Sequence, residues 1–424
     1  MEKLLTYVWK HKLMLQHRQT TTDGYILEII DPGLYNSDAG PDFFNAKIRI
    51  DGVMWAGNVE IHTKSSDWFR HHHEVDPAYN SVILHVVGEM DRDAICQNGY
   101  HPSHYVLTCP EVISLNYSNL ISKERGVCHS RLSLLEPILI SSWKSALLTE
   151  RLERKTSSII ALLERNKDDW EDVLYQTLGR YFGFGINNDL FEQLVRSLPL
   201  SCIRKHRNNL MQIEALFFGQ AGLLVQEDLH DKYAEDLKRE YEFLKHKFGL
   251  TPLENPLWKM LRIRPNNFPH VRIAELAAFV QKSENLFSKL IEAETLNDFR
   301  LLFKVAASRY WDTHFSFTHE SPREVKSLGK LATDVLIINV AVPLLFIYGR
   351  NNDRPDLEDR AFELLESLPS EQNYIVYSWK SAGLKVENAF DSQALIQLQK
   401  EYCDVKKCLY CRFGHKLLTI PPFY

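Results

Sequence analysis

The stretch from Gly40 to Lys64 constrains the fold more strongly than any other part of the chain. Polar and apolar residues alternate from Ala46 to Ile50, and alternation returns from Val59 to Lys64. A period of two is typical of a β-strand with one buried face. The dipeptide Asp51-Gly52 lies between the two segments, and Asp-Gly is a strong short-range signal for a turn. The sequence therefore predicts two strands joined as a hairpin.

Three ionisable side chains share one face of the second predicted strand. Glu60, His62 and Lys64 alternate along it, so they point to the same side of the sheet. The apolar residues between them point to the other side, where they can pack inward. Asp42 lies where the chain enters the first strand. A sheet face that carries an acid, an imidazole and an ammonium indicates contact with water, a metal ion or a ligand.

The order Pro-Asp, hairpin, Glu-x-basic resembles the motif of the PD-(D/E)XK phosphodiesterase superfamily, whose members include restriction nucleases. In that superfamily the aspartate begins the second core strand, and Glu-x-Lys lies on the third. Asp42 and Glu60 match the two acids, whereas His62 stands where the lysine is expected. Lys64, one step along the same face, can stand in for that lysine.

The resemblance implies a hydrolase, a divalent-metal-dependent nuclease that acts on DNA or RNA. Asp42, Glu60 and the main-chain carbonyl of Ile61 would bind Mg²⁺ or Mn²⁺, which activates water for attack on phosphate. His62 or Lys64 would orient the water or neutralise the phosphate. A structural interpretation stays open, in which Asp42 caps a turn and Glu60 is a solvated strand residue.

Histidines follow the predicted hairpin closely. Residues 71–73 are all histidine, and His85 lies within an apolar segment that predicts a buried strand. Imidazole suits transition metals better than Mg²⁺, so His73 and His85 are candidate ligands of such an ion beside Glu60. Taken singly, each histidine is better explained by a surface position or by a hydrogen-bonded position in the core, while a site that uses at least one of His73 and His85 stays open.

The C-terminal tail carries a second candidate metal site. Cys403, Cys408, Cys411 and His415 are spaced C-x4-C-x2-C-x3-H. Thiolate and imidazole groups at this density can close a tetrahedral site, so the spacing indicates a structural zinc ion. Buried free thiols on a helix explain the same residues. An iron–sulfur cluster, which some related nucleases contain, would need a fourth cysteine, and none is nearby in the sequence.

The pattern of the sequence changes near residue 130. Residues 1–130 predict an α/β (α+β) nuclease-like domain, and residues 131–390 have helical periodicity and predict a mainly α-helical domain. Residues 391–424 predict a helix and the Cys/His cluster, packed on the preceding domain. The run from Gly40 to Val87 is also similar to an uncharacterised bacterial family, known only as a domain of unknown function, and this similarity extends over most of the chain.

One loop of the predicted helical domain is a candidate nucleic-acid contact. Arg262, Arg264 and Arg272 surround asparagine, proline and phenylalanine residues. Guanidinium groups can hold phosphate while an aromatic ring stacks on a base. A loop that is merely solvated is the alternative.

Composition describes an ordinary globular protein. Of 424 residues, 45% are hydrophobic, and the formal net charge is −5 at pH 7, so binding of nucleic acid would need a local basic patch. Seven cysteines without regular spacing favour a reducing compartment. The N-terminus lacks the apolar segment of a signal peptide, and the apolar run Val335–Tyr348 is too short and interrupted to span a bilayer. We expect a cytoplasmic protein that does not contact a membrane; the oligomeric state stays open.

Three functions remain open from the sequence. The first is the nuclease, the second is a nucleic-acid-binding or scaffold protein that kept the fold and lost catalysis, and the third is a transition-metal enzyme on another substrate. The first requires Asp42 and Glu60 to converge on one cation. The second requires acids that diverge or are plugged by side chains, and the third requires His73 or His85 among the ligands.

Overall fold

The chain forms two units, which we describe from a computed structural model for residues 1–14, 19–122, 128–225, 231–254, 256–261 and 263–421. The first unit comprises Met1–Trp143, Ser381–Leu384 and Gln399–Tyr424, and the second comprises Lys144–Lys380 and Lys385–Leu398. A mixed sheet occupies the first unit and the second is mainly helical, so the predicted succession of a sheet-containing region and a helical region is confirmed.

The regular elements have the following bounds. The strands are β1 (Gln19–Thr20), β2 (Ile26–Asp31), β3 (Leu34–Tyr35), β4 (Phe43–Ile50), β5 (Val53–Lys64), β6 (Val82–Glu89), β7 (Ser103–Val106), β8 (His314–Ser316) and β9 (His319–Glu320). The helices are α1 (Glu2–Lys10), α2 (Asp67–Arg70), α3 (Glu111–Ile121), α4 (Pro137–Arg165), α5 (Trp170–Phe182), α6 (Asn188–Ser197), α7 (Leu200–Arg204), α8 (Leu210–Gln220), α9 (Lys232–Phe248), α10 (Pro269–Lys282), α11 (Leu286–Glu292), α12 (Leu296–Leu302), α13 (Lys330–Leu336), α14 (Val342–Asn351), α15 (Pro355–Ser367), α16 (Tyr374–Ser381), α17 (Ala389–Leu398) and α18 (Arg412–Thr419).

The sheet of the first unit changes from antiparallel to parallel at β5. Its order is β1-β2-β4-β5-β6-β7, and β3 pairs with β4 outside this path. β2, β4 and β5 are antiparallel neighbours, whereas β6 runs parallel to both β5 and β7. A parallel neighbour needs a crossover connection. The crossover from β5 to β6 contains α2, the three consecutive histidines and a 3₁₀ turn at Pro77–Ser81.

The predicted turn at Asp51-Gly52 is confirmed. Ile50 pairs with Val53 at the end of the β4–β5 hairpin. The two turn residues have positive φ angles, 47° at Asp51 and 83° at Gly52. Two consecutive left-handed residues are typical of a type I′ turn, whose twist matches that of the flanking strands. This short turn aligns β4 with β5, so Asp42, directly before β4, lies near Glu60 on β5.

The two faces of the sheet are buried differently. One face belongs to the main core of the first unit, which includes Leu5 of α1, Ile48 of β4 and Ile61 of β5. A smaller cluster around Trp68 and Tyr79 forms with residues of the crossover. Strand β6 is buried from Val82 to Val87, as expected for a strand covered on both faces.

The C-terminal tail from Gln399 onward belongs to the first unit, and the predicted packing of residues 391–424 on the helical domain stays a prediction. Leu409 and Leu418 belong to the main core of the first unit, and Asn116 of α3 donates hydrogen bonds to the carbonyls of Leu418 and Ile420. The sequence shows that α18 has an apolar face, but the face alone does not identify its partner. The tail therefore returns to the sheet-containing unit.

The second unit builds its core from paired helices, among them α5–α6, α8–α9, α8–α10 and α14–α15. Among the described residues one helix, Lys330–Asn351, is long and apolar enough to cross a membrane, yet 72% of its apolar window is buried inside the protein. It consists of α13, a π-helical turn at Ile337–Ala341 and α14. This confirms the buried helix predicted around Val335–Tyr348, and its burial is that of a core helix in a soluble protein. The cytoplasmic location stays a prediction.

Candidate metal centre

The strand register brings ionisable residues of three neighbouring strands into one row. Glu60 on β5 pairs with His85 on β6, and His85 pairs with His104 on β7. Residues paired across a sheet point to the same face, so these three side chains are neighbours. His62 follows on the same face of β5. All four residues are buried, with exposures from 0% at His85 to 5% at Glu60 and His104.

Reciprocal hydrogen bonds hold Asp42, which directly precedes β4, beside Glu60 on β5. The amide of Asp42 donates to Oε2 of Glu60 at 3.0 Å, and the amide of Ile61 donates to Oδ2 of Asp42 at 3.0 Å. The two acids that the sequence singled out therefore converge. Ile61 itself is buried, and the role of its carbonyl as a metal ligand stays a prediction.

Burial raises the pKa of both carboxyl groups. The pKa of Asp42 rises to about 7, through burial first and then through the charge of Glu60. Burial raises the pKa of Glu60 to about 8, against an opposing hydrogen bond from the Asp42 amide. Two desolvated acids side by side resist ionisation unless a cation is present. Such a pair is therefore a candidate seat for a metal ion.

His62 lies at the centre of a histidine cluster. Its Nδ1 is 2.9 Å from Nε2 of His85, and its Nε2 is 3.1 Å from Nδ1 of His71. The same Nε2 is 3.5 Å from Oε1 of Glu60. Burial lowers the pKa of His62 to about 3 and the pKa of His85 to about 2, with neighbouring histidines adding to the effect. The rings are therefore neutral at pH 7, which is the form that binds metal.

The crossover loop places His73 against the same carboxylate. His72 adopts a left-handed conformation, φ 62°, and the amide of His73 returns to the carbonyl of Trp68 at 3.0 Å. The His73 ring stacks on Tyr79 with 3.7 Å between centroids. Its Nε2 then lies 3.3 Å from Oε1 of Glu60. One oxygen of Glu60 thus faces the ring nitrogens of both His62 and His73.

Three of these histidines can bind one ion together. Ligand atoms of His62, His71 and His73 all lie within 4.8 Å of one another. Nε2 of His73 and Nδ1 of His85 are buried without a hydrogen-bond partner among the described residues. Buried nitrogens are rarely left unsatisfied, and a bound cation would satisfy the nitrogen of His73. The donor set of imidazoles and a carboxylate fits a transition metal.

Lys64 does not join this cluster in the structure. Its side chain is half exposed, and its Nζ lies 3.0 Å from Oε2 of Glu89, the residue opposite Lys64 on β6. The alternation along β5 places Lys64 on the same face as Glu60 and His62, as predicted. However, the ammonium forms an ion pair at the exposed end of the strand. Its predicted catalytic role stays a prediction.

Sequence reasoning noted His71 as part of the run of three histidines but did not select it as a ligand, and it missed the contributions of His104 and Tyr79. His71 is exposed at the mouth of the cluster, whereas Nε2 of His104 accepts a hydrogen bond from the Ala94 amide at 3.1 Å and serves the fold. The available signal was a histidine inside the apolar run of residues 82–87, at position 85, and another directly before the apolar run of residues 105–107, at position 104. This signal can be interpreted only when the pairing of β6 with β7 is known.

The Cys/His tail lies in the first unit, where the side chain of His415 contacts residues near the N-terminus of the chain. The predicted structural zinc site at Cys403, Cys408, Cys411 and His415 stays a prediction. Nδ1 of His415 is 2.6 Å from the Tyr7 hydroxyl, and its ring is 4.8 Å from that of His11. Cys411 is buried, and Cys403 and Cys408 are half-buried. The histidine thus faces α1, where aromatic neighbours account for its position.

The three arginines of the predicted nucleic-acid loop differ in their placement. Arg262 lies outside the described residues, and Arg264 is exposed. Arg272 is buried at the start of α10, where its guanidinium pairs with Glu275 at 2.5 Å and lies over the ring of Phe184 at 4.5 Å. Arg272 therefore belongs to an internal ion pair, which buries the charge that a phosphate would need.

Comparison with known proteins identifies the family. No curated protein and no solved structure matches the chain. Residues 2–374 match the family described as protein of unknown function (DUF2851), and this match includes every residue of the histidine–carboxylate cluster. The similarity to a domain of unknown function that the stretch from Gly40 to Val87 indicated is therefore confirmed: the chain belongs to the DUF2851 family.

Proposed function

We propose that this protein is a metal-dependent hydrolase of phosphodiesters, in which a transition-metal ion is bound by Glu60, His62 and His73. Asp42 and His71 complete the site, Asp42 from the acid pair and His71 from the solvent side. The order helix, antiparallel strands, crossover and parallel strand agrees with the PD-(D/E)XK core that the motif implies. Nucleic acid is the substrate class that this resemblance favours.

The observation that carries the proposal is that both carboxylate oxygens of Glu60 are in contact with other residues of the site. Its Oε2 is fixed by the Asp42 amide at 3.0 Å, so its Oε1 can face His73 at 3.3 Å and His62 at 3.5 Å. A solvated strand glutamate would not be buried beside these imidazoles. The charge of the carboxylate costs free energy there unless a cation offsets it.

Each residue of the site has a distinct role. A divalent cation bound there would supply Lewis-acid chemistry, drawing charge from a phosphoryl oxygen and acidifying water. Glu60 and the buried histidines hold the cation, while Asp42 adds negative charge and orients Glu60 through its amide. His71 is exposed and 3.1 Å from His62, so it is placed to take a proton from attacking water and release it to solvent.

The donor set favours Mn²⁺, Zn²⁺ or Fe²⁺ over Mg²⁺. Mg²⁺ prefers oxygen ligands and keeps several waters, whereas imidazole suits the later transition metals. Of the two metals that the motif implies, Mn²⁺ accepts both carboxylate and imidazole. We therefore propose Mn²⁺ as the first ion to test.

A binding protein without catalysis is the second candidate, and one observation favours it. The PD-(D/E)XK motif expects an ammonium beside the acids, but Lys64 is 3.0 Å from Glu89 and His62 is buried. If His71 cannot replace the lysine, the centre would bind metal and nucleic acid without cleaving. This candidate retains the metal site and loses only the reaction.

Calorimetric titration of Mn²⁺ into the metal-free full chain tests the proposal. We expect a stoichiometric site in the wild type, at least tenfold weaker binding in Glu60→Gln and His73→Gln, and unchanged binding in His72→Gln. His72 is the matched control because it adjoins His73 in sequence, yet its side chain is 79% exposed. Cleavage of single- and double-stranded DNA and RNA is measured with Mn²⁺, Zn²⁺ and Mg²⁺ in parallel.

The outcomes separate the two candidates. Cleavage that requires Mn²⁺ and disappears in Glu60→Gln supports the hydrolase. Metal binding without cleavage of any of these substrates supports the binding protein. Equal Mn²⁺ binding in the wild type and Glu60→Gln would reject both, because the metal would then lie elsewhere.

A further inference from the structure

Four cysteines from two distant parts of the sequence come together in the first unit. Three of them, Cys403, Cys408 and Cys411, lie in the tail. The fourth is Cys128, which precedes the 3₁₀ turn His129–Leu134. Cys128 interacts electrostatically with Cys408 and Cys411, and Cys403 interacts with all three others. None of the four forms a disulfide.

Contacts on both sides of Cys128 fix this arrangement. Before it, Nζ of Lys406 donates to the Ser122 carbonyl at 2.8 Å. After it, the Arg131 guanidinium donates to Asn116 and to the carbonyl of Pro421, each at 3.0 Å. The Cys408 thiol points to the Leu120 carbonyl at 3.8 Å. Lys406 and Arg131 thus anchor the tail to the chain around Cys128 independently of the cysteines.

The main chain around Cys411 is shaped to receive a thiolate. Cys411 is the N-cap of α18; burial raises the pKa of its thiol, and the nearby amides of Phe413 and Gly414 oppose that rise. Amide donors and a helix N-terminus stabilise negative charge on a ligand sulfur. A Cβ at Gly414 would lie 2.1 Å from the Cys408 carbonyl oxygen. Glycine therefore permits the tight chain reversal that brings Cys408 beside Cys411.

We propose that Cys128, Cys403, Cys408 and Cys411 form a four-thiolate metal centre that fastens the C-terminal tail to the sheet-containing unit. Four sulfur ligands are the chemistry of structural zinc or of an iron–sulfur cluster. The proposal replaces His415 of the tail motif by Cys128. His415 instead bonds the Tyr7 hydroxyl at 2.6 Å.

The spacing of the four thiols bears on which metal centre they would hold, a single zinc ion or an iron–sulfur cluster. Around one zinc ion, sulfur atoms at about 2.3 Å from the metal lie roughly 3.8 Å apart. Among the described residues, the ligand atoms that all lie within 4.8 Å of one another are those of His62, His71 and His73. The described cysteines do not form such a group, so their sulfur atoms are more widely spaced. Zinc would draw them inward, whereas a larger iron–sulfur cluster fits a wider cage.

The test is elemental and sulfide analysis of the full chain, purified without oxygen, as wild type and as four single variants. We expect zinc or iron bound in stoichiometric amount at this site, with at least a fivefold loss of that metal in Cys128→Ser and in Cys411→Ser. His415→Gln and Cys109→Ser should keep it. Cys109 is the matched control, because it is a half-buried cysteine of the same unit whose pKa is raised by burial alone. Visible absorbance and acid-labile sulfide identify a cluster, and their absence with bound zinc identifies a single ion.

X-ray absorption of the wild-type protein keeps the proposal testable if a variant fails to fold. A ligand shell of four sulfurs per zinc, or an iron–sulfur signature, is expected. Three sulfurs and one nitrogen would overturn the proposal in favour of His415. So would a Cys128→Ser variant with unchanged metal, wild-type protein without zinc or iron at this site, or a disulfide among the four cysteines.

Discussion

At the scale of single residues, Glu60 is a buried acid whose ionised form the fold alone does not stabilise. Burial raises its pKa from 4.5 to about 8, so without metal the folded state prefers the protonated acid. This preference stabilises the fold fully below the ordinary pKa and is lost as the pH rises through the raised one. Glu60→Gln keeps an acceptor for the Asp42 amide and removes the ionisation. In the presence of chelator, we expect the variant to be more stable than wild type at about pH 9, by on the order of a few kcal/mol.

Thermal unfolding at about pH 5 and about pH 9 checks this prediction. The stability difference should shrink toward the lower pH, and saturating Mn²⁺ should reverse its sign at the higher pH because the ionised wild type then gains a cation. Glu89→Gln, an exposed acid on β6, should show neither effect. A stability difference that does not depend on pH would contradict ionisation of the buried carboxyl as its cause.

At the scale of elements, the β4–β5 hairpin sets the register that brings Asp42 to Glu60. Gly52 has a φ of 83° and no atom within 4 Å of an added Cβ, so a substitution there acts through backbone strain and not through a clash. Gly52→Ala should destabilise the protein by about 1 kcal/mol, and Gly52→Asn by less, because asparagine tolerates the left-handed region. Denaturant unfolding measures the stability change of each variant, and hydrogen exchange at the β5 amides follows the effect on that strand. Equal effects of alanine and asparagine would exclude the conformational explanation.

At the scale of the whole molecule, the tail completes the core of the sheet-containing unit. Leu418 is fully buried there, so Leu418→Ala should cost about 2–5 kcal/mol. The loss should appear as faster hydrogen exchange in β4 and β5. Val405→Ala, on the same tail but 54% exposed, is the control and should leave exchange unchanged. Unchanged protection in Leu418→Ala would mean that the core of the first unit is stable without the tail.

The sequence by itself determined the local features of this protein. A period-two pattern, an Asp-Gly turn and a motif of two acids fixed the hairpin and its ionisable face, because strand pleating and turn chemistry depend on residues that are close in the chain. The same local information correctly predicted that a helical region follows the sheet-containing region, and it correctly predicted the buried helix around Val335–Tyr348.

Only the tertiary structure decided which distant groups meet. His73 reaches Glu60 because His72 reverses the crossover loop, and Lys64 pairs with Glu89 because a parallel strand lies beside it. Cys128 approaches Cys411 because the tail packs on α3 within the first unit. Such contacts follow from how apolar faces are buried against one another over long chain separations. The pattern of an isolated segment shows that it has an apolar face but does not identify the partner.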